Sequence, residues 1–480
     1  MGITPAASPA VQADAWLWLG RMENKRGEPK LARNANLLAS EQALKAGDAT
    51  LTARAFSRLY ANEGFDEADS DADTWSRLAS AAAARVPGDW EVQAELAHND
   101  GLVNLRRGRL KAALADFEQV LALQKEHLGA EHPEVASTLN NLGTALTSAN
   151  RTQEAVARFD ESLVLHEKLE GPEHPNVAVA LNNLAVALRR MGRGSVARST
   201  FERALDIRRK ALGFNHVESL KTAQALVKLL IALGELEAAR ALLDEVKETR
   251  ITMSGADSSL MLPIIELEAE LFLAGGFWKE ALEVGQRHAQ LAKLHPNESV
   301  RDQSMALIEQ AAAWTQLGSW ADARKALADV QKRLQPGDKN DFDEGLYFET
   351  VARLELAQGH DALAVPPLEK AVELREKGNI IGATRTSVLL AQVLQRLDQT
   401  DKALTLLASA EVRFSEGQCP KPLLETQLAL AQMLWITRPT EHEATVERLK
   451  ALQPQLSEAQ KQTFTKWVNE NAADAGISAP

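Results

Sequence analysis

A single cysteine in 480 residues, Cys419, leaves no internal disulfide and no cysteine-based metal site to build, and it favours a reducing, cytoplasmic setting. No run of about 18 apolar residues occurs, and no charged segment followed by an apolar one opens the chain, so neither a membrane span nor a signal peptide is expected. Positive charge is short. Lys and Arg number 54 against 66 Asp and Glu, a net charge of −12 that argues against a general nucleic-acid or anionic-membrane binder. The chain also lacks a Gly-rich phosphate loop, an HRD catalytic loop and a DFG triplet, so it carries no kinase domain.

What is present is Ala, Leu and repetition. At 480 residues the chain exceeds what one core usually organises, and the absence of any strong linker favours one extended array over several domains. EHPEVASTLNNL, residues 131–142, returns as EHPNVAVALNNL at 173–184, a step of 42 residues. Such a period marks a repeat protein, in which each unit buries its apolar face only by stacking on its neighbours. The same step joins Ala113, Ala155, Ala197 and Ala239, and joins Phe117, Phe159, Phe201 and Leu243. A small residue followed four positions later by a large one describes one helix face. Upstream, Gly101, Gly143, Ala185 and Val227 define a first helix, and Gly108, Asn150, Gly192 and Gly234 fall between the two as left-handed turn residues. The unit is helix, turn, helix.

These residues resemble the tetratricopeptide repeat (TPR). The longer step, the LNNL core and the connectors Leu128–Pro133, Glu170–Pro175 and Leu212–His216 resemble the kinesin-light-chain subtype. The resemblance implies an all-α fold: a right-handed α-solenoid (superhelix) of stacked helix-turn-helix units, about nine in number, with N-terminal helices and a C-terminal capping helix. The implied division is a flexible tail at 1–10, N-terminal helical repeats at 11–88, the regular array at 89–250, divergent helix pairs at 251–455, and a capping helix and tail at 456–480. Helices are expected at 30–46, 48–63 and 72–86. Beyond residue 250 the expected pairs are 258–275 with 278–294, 299–317 with 320–335, 343–358 with 361–376, 380–397 with 400–415, and 421–436 with 440–453. Pro366-Pro367 predicts a late start or a bend in its helix.

In such arrays the first helices line the concave surface. By register the candidate groove residues are Asn99, Asn140, Asn141, Asn182, Asn183 and Thr144, with Arg106, Arg189, Arg190, Lys221 and Lys228 as basic neighbours. An asparagine amide both donates and accepts, so a ladder of them can satisfy an extended backbone whatever its side chains, while the basic residues select acid or a free C-terminus. Hydrogen bonding between helices is the competing use of the same amides. The resemblance implies peptide contact for Asn99, Asn141 and Asn183. Asp100 falls where Leu142 and Leu184 fall later, a carboxylate at a core position that calls for a nearby Arg or a more open end.

Other patterns carry less. Asp69, Asp71 and Asp73 imitate the start of a calcium loop, but Thr74 and Ser80 replace its required Gly and Glu, and helix capping by Asp71 or Asp73 fits better. His132, His174 and His216 lie in separate connectors, as turn and cap residues and not metal ligands. The Trp residues read as packing between helices, with no basic run beside them for nucleic acid. No cofactor and no enzymatic activity is expected. The expected function is a scaffold that binds a protein or an extended peptide in its concave groove. The alternative rests on organisation, which resembles the C-terminal TPR half of myxobacterial serine/threonine kinases: a regulatory array that docks substrate or controls a kinase.

Overall fold

The computed structural model describes residues 7–26, 28–63, 70–295, 300–333, 344–376, 378–417, 419–437 and 465. Among them are twenty-one α-helices, one short 3-10 helix and no strand. The backbone packs into two compact units, Met1–Asn183 and Leu184–Pro480. Of the tail expected at 1–10, residues 1–6 fall outside the described residues and the first helix already begins at Pro9; the helix at 440–453 and, but for residue 465, the capping helix and tail at 456–480 also fall outside them.

Unit 1 holds α1 (Pro9–Arg26), α2 (Pro29–Ala46), α3 (Ala49–Glu63), α4 (Ser70–Ala83), α5 (Trp90–Arg106), α6 (Leu110–Leu128), α7 (Pro133–Ser148) and α8 (Thr152–Glu170), while α9 (Pro175–Arg190) carries residues of both units. Consecutive helices pair: α1 with α2, α3 with α4, α5 with α6, and α7 with α8. Unit 2 holds α10 (Gly194–Leu212), α11 (Val217–Leu233), α12 (Leu236–Ser254), α13 (Leu262–Gly275), α14 (Trp278–Leu294), α15 (Val300–Gln316), α16 (Trp320–Gln331), α17 (Glu344–Ala357), α18 (Asp361–Glu376), α19 (Ile380–Arg396), α20 (Thr400–Glu416) and α21 (Pro420–Thr437). From α11 onward the same antiparallel pairing continues to α19 with α20. Each unit is an α-solenoid of helix-turn-helix repeats.

The repeat residues hold these pairs together as the spacing predicts. Ala113, Ala155, Ala197 and Ala239 are fully buried, as are Phe117, Phe159, Phe201 and Leu243 to within 1%. Each large side chain needs a hollow in the partner helix. A Cβ added at Gly143 would lie 2.6 Å from the Phe159 ring, and one at Gly101 would lie 2.9 Å from Phe117. The turn between paired helices recurs as a left-handed residue at Gly108, Asn150, Gly192, Gly234, Gly276, Gly318, Gly359 and Asp398. The 42-residue step therefore persists to Gly318, past residue 250 where the sequence motif fades, and the next two turns follow after 41 and 39 residues.

The connectors cap the first helices. The Nδ1 atoms of His132, His174 and His216 accept from the amides of Glu134, Asn176 and Glu218, each at 3.2 Å. These histidines do the work usually given to Ser or Asp at an N-cap. Two expectations are corrected. Asp73 lies inside the first turn of α4 and pairs with Arg107 at 3.4 Å, so it does not cap that helix. Helix α18 does not start late: it begins at Asp361 as its pairing predicts and runs through Pro366 and Pro367, because Ala364, Leu368 and Ala371 around them are fully buried and packing outweighs the lost backbone bonds.

Candidate functional site

Unit 1 carries a groove of ≈ 890 Å³ floored by the first helices of its repeats. Asn99 and Asn141 both line it, with His98, Ser137 and Thr138 beside them. The two asparagines differ in what they already hold. Asn99 is buried and its amide donates to Ser57 Oγ at 2.8 Å, tying α5 to α3. Asn141 is half-buried and has no hydrogen-bond partner among the described residues. Its donors and acceptor face the groove unspent.

Side chains from α3 and α5 also line the groove, and of these the register of the repeat singled out Glu95 but not Arg54, Arg58, Trp90 or Glu91. Arg54 pairs with Glu91 at 2.5 Å and Arg58 with Glu95 at 2.5 Å, while Arg58 also donates to the Leu17 carbonyl at 2.8 Å. Trp90 stacks flat on His127 with ring centroids 4.7 Å apart. Burial lowers the His98 pKa below the usual imidazole value, against the opposing charge of Glu95. Arg54 and Arg58 are thus paired with Glu91 and Glu95 inside the groove, which suits it to hydrogen bonding more than to attracting one sign of charge.

The remaining predicted residues separate. Asn183 donates to Asn140 Oδ1 at 3.0 Å and accepts from Asn182 at 3.4 Å, a chain that joins α9 to α7. Thr144 bonds back to the Asn140 carbonyl at 3.0 Å. Arg106 stands exposed in the last turn of α5, and Lys221 is exposed and pairs with Glu218 at 3.0 Å. Burial, then the like charge of Arg190, lowers the pKa of Arg189. These four basic residues line neither this groove nor the cleft described next.

Lys228 belongs to a cleft of ≈ 650 Å³ inside unit 2. Its walls hold fixed charge. Glu349 is bridged by Arg375 and Arg353; burial works to raise its pKa, but the two guanidinium groups and Thr386 hold it down to about 2. Glu309 contacts His288 at 2.9 Å, both fully out of water, and burial lifts the Glu309 carboxyl to about 7. Burial opposes charge on His288 too, yet the hydrogen bond and charge of Glu309, with Glu266 and Asp302, raise its pKa. Among the described residues no group of three or more His, Cys, Asp or Glu could hold a metal ion, and no helix is long and apolar enough to cross a membrane.

Comparison with known families agrees with this architecture. The model of the MalT-like TPR region matches residues 130–411, more than half of the 480-residue chain. The chain belongs to the MalT-like TPR family. A second tetratricopeptide repeat model matches residues 92–164. Among curated proteins no sequence matches. The apo form of RapI shares the fold of this MalT-like chain, with 13% identity, TM-score 0.59, and coverage of 77% of this chain and 99% of that one. A Rap protein in complex with competence and sporulation factor aligns at 13% identity and TM-score 0.50, over 81% of this chain and 99% of that one. Kinesin-light-chain-type TPR-like repeats from Podosopora anserina align at 24% identity and TM-score 0.40, over 44% of this chain and 98% of theirs.

Proposed function

We propose that this MalT-like TPR chain is a protein-interaction scaffold whose unit 1 groove takes an extended segment of a partner protein. Stacked repeats of this kind present long concave surfaces, and binding is their usual use. The observation that carries the reading is Asn141: a groove-lining amide with no partner among the described residues, one repeat on from Asn99. An extended backbone offers an alternating donor and acceptor at each residue, which an amide matches without regard to side chain. The charge pairs Arg54–Glu91 and Arg58–Glu95 leave the groove little reason to prefer an acidic segment.

Replacing Asn141 with Ala is expected to weaken partner binding about tenfold while leaving thermal unfolding within about 0.5 kcal/mol of the parent. Replacing Asn99 with Ala should do the reverse, since its loss strands Ser57 in the interior. Equal losses of stability and binding in the Asn141 variant would return that residue to a structural role.

A further inference from the structure

Unit 2 closes on itself. Arg385 on α19 donates from Nη1 to the carbonyl of Ala232 at 3.2 Å and from Nη2 to Glu425 at 3.4 Å, joining α19 to the end of α11 across 153 residues. The rest of the seam is narrow and built on glycine. A Cβ at Gly417 would fall 2.1 Å from the Gly192 carbonyl oxygen, and one at Gly194 would fall 2.6 Å from Leu233 and 2.8 Å from Cys419 Sγ. Cys419 itself is fully buried there, its thiol 3.6 Å from the Gly192 carbonyl.

The seam forms one wall of the unit 2 cleft. Ala232, Ile381, Arg385 and Glu425 all line that cleft, and so does Lys228, one helical turn before Ala232 on the same face of α11. Ala232 is the penultimate residue of α11, so its carbonyl is one of the acceptors a helix end leaves unbonded, and a guanidinium satisfies it. Both Arg385 contacts are nevertheless long against the 2.7–2.9 Å usual for a charged pair, and the side chains of Arg385 and Glu425 stay 37% and 43% exposed. Lys228 has no partner among the described residues.

We infer that Arg385 is a latch, and that a ligand carboxylate entering the unit 2 cleft draws it from Ala232 and Glu425, with Lys228 as the second cation, so that binding parts the seam. A carboxylate can accept two short bonds from a guanidinium, where the seam supplies one carbonyl at 3.2 Å and one oxygen at 3.4 Å. A single negative charge is what the cleft tolerates, because its lining sets Lys228, Arg301, Arg353, Arg375 and Arg385 against an equal number of glutamates. A multiply charged anion would meet those glutamates as well.

Cys419 is a native reporter of the seam, because no other thiol is present in the chain. The test is the rate of Cys419 alkylation by iodoacetamide, an uncharged reagent, in the full chain with acetate, with inorganic phosphate, or with NaCl at equal ionic strength. Acetate should speed alkylation severalfold over NaCl, and Arg385→Gln should speed it about tenfold without acetate and abolish the acetate response. Lys228→Gln should move the acetate response to higher concentration. Gly417 has φ −75°, so Gly417→Ala is tolerated locally but collides across the seam, and it too should accelerate labelling. Equal rates for Arg385→Gln and the parent would overturn the latch. An acetate rate equal to NaCl would overturn the ligand assignment, as would phosphate acting as well as acetate.

Discussion

Asp100 shows how one side chain departs from its repeat. Its counterparts Leu142 and Leu184 are buried core residues, whereas the half-buried Asp100 carboxyl has no ion-pair partner among the described residues. Burial, then the charge of Asp116, raises its pKa from 3.8 to about 6. A carboxyl raised in the folded state contributes stability fully present below the unfolded value near 4 and lost as pH rises through 6. Asp100→Asn should therefore match the parent below pH 4 and exceed it by about 1–2 kcal/mol at pH 7.5, allowing for partial exposure. Denaturant unfolding across that range checks it; a constant difference would show that the titration is not responsible. His216→Ala, by removing the cap on Glu218, should cost about 1 kcal/mol, and His216→Asp should restore most of it. Chemical unfolding midpoints separate the two variants, and equal midpoints would remove the capping role. The sequence announced Asp100 as anomalous by register but could not say which of two remedies applied. No arginine pairs with it among the described residues, and the carboxyl sits half-buried where Leu142 and Leu184 are buried, which fits the more open of the two.

At the scale of the helix pair, the hollow under each aromatic reverses an ordinary propensity. Alanine normally improves a helix over glycine by about 0.5–1 kcal/mol, but at Gly143 the new Cβ would meet the Phe159 ring at 2.6 Å. Gly143→Ala is expected to destabilise unit 1 by about 1–3 kcal/mol, with partial recovery when Phe159→Leu is added. Calorimetry of the single and double variants measures this, and a stabilised single variant would contradict the packing described. Most helix pairs were legible from period alone, because buried alanines and turn residues at a fixed step are a direct imprint of stacking. Beyond residue 250 the LNNL and HP motifs fade, yet Ala281 and Ala323 continue the alanine series from Ala239 and are fully buried. Gly276 and Gly318 continue the turns. Those two registers were the readable signal in the second half. The run of α18 through Pro366-Pro367 was not readable, since it depends on neighbours that bury Ala364 and Leu368.

For the chain as a whole, register put Asn99 and Asn141 on helices that line the unit 1 groove but did not show how their polar groups would be spent. Asn99, Asn141 and Asn183 are equivalent in sequence, and the fold gives them three fates: a bond to Ser57, an open amide, and a bond to Asn140. That difference comes from partners one repeat away, which a single repeat's pattern does not contain. The basic residues beyond Arg106 were likewise chosen by position, and only Lys228 reached a cleft, where its companions Arg385 and Glu425 come from helices more than 150 residues later. The central claim is that the unit 1 groove is where a partner lies. It is tested most directly by placing a photo-cross-linking amino acid at Ser137, exposed in the groove on α7, or at Glu118, exposed on α6 outside it. The predicted result is cross-linking from position 137 to one contiguous segment of one partner, lost when Asn141→Ala is added and absent from position 118. Equal cross-linking from both positions, or capture at 137 that survives Asn141→Ala, would contradict the account.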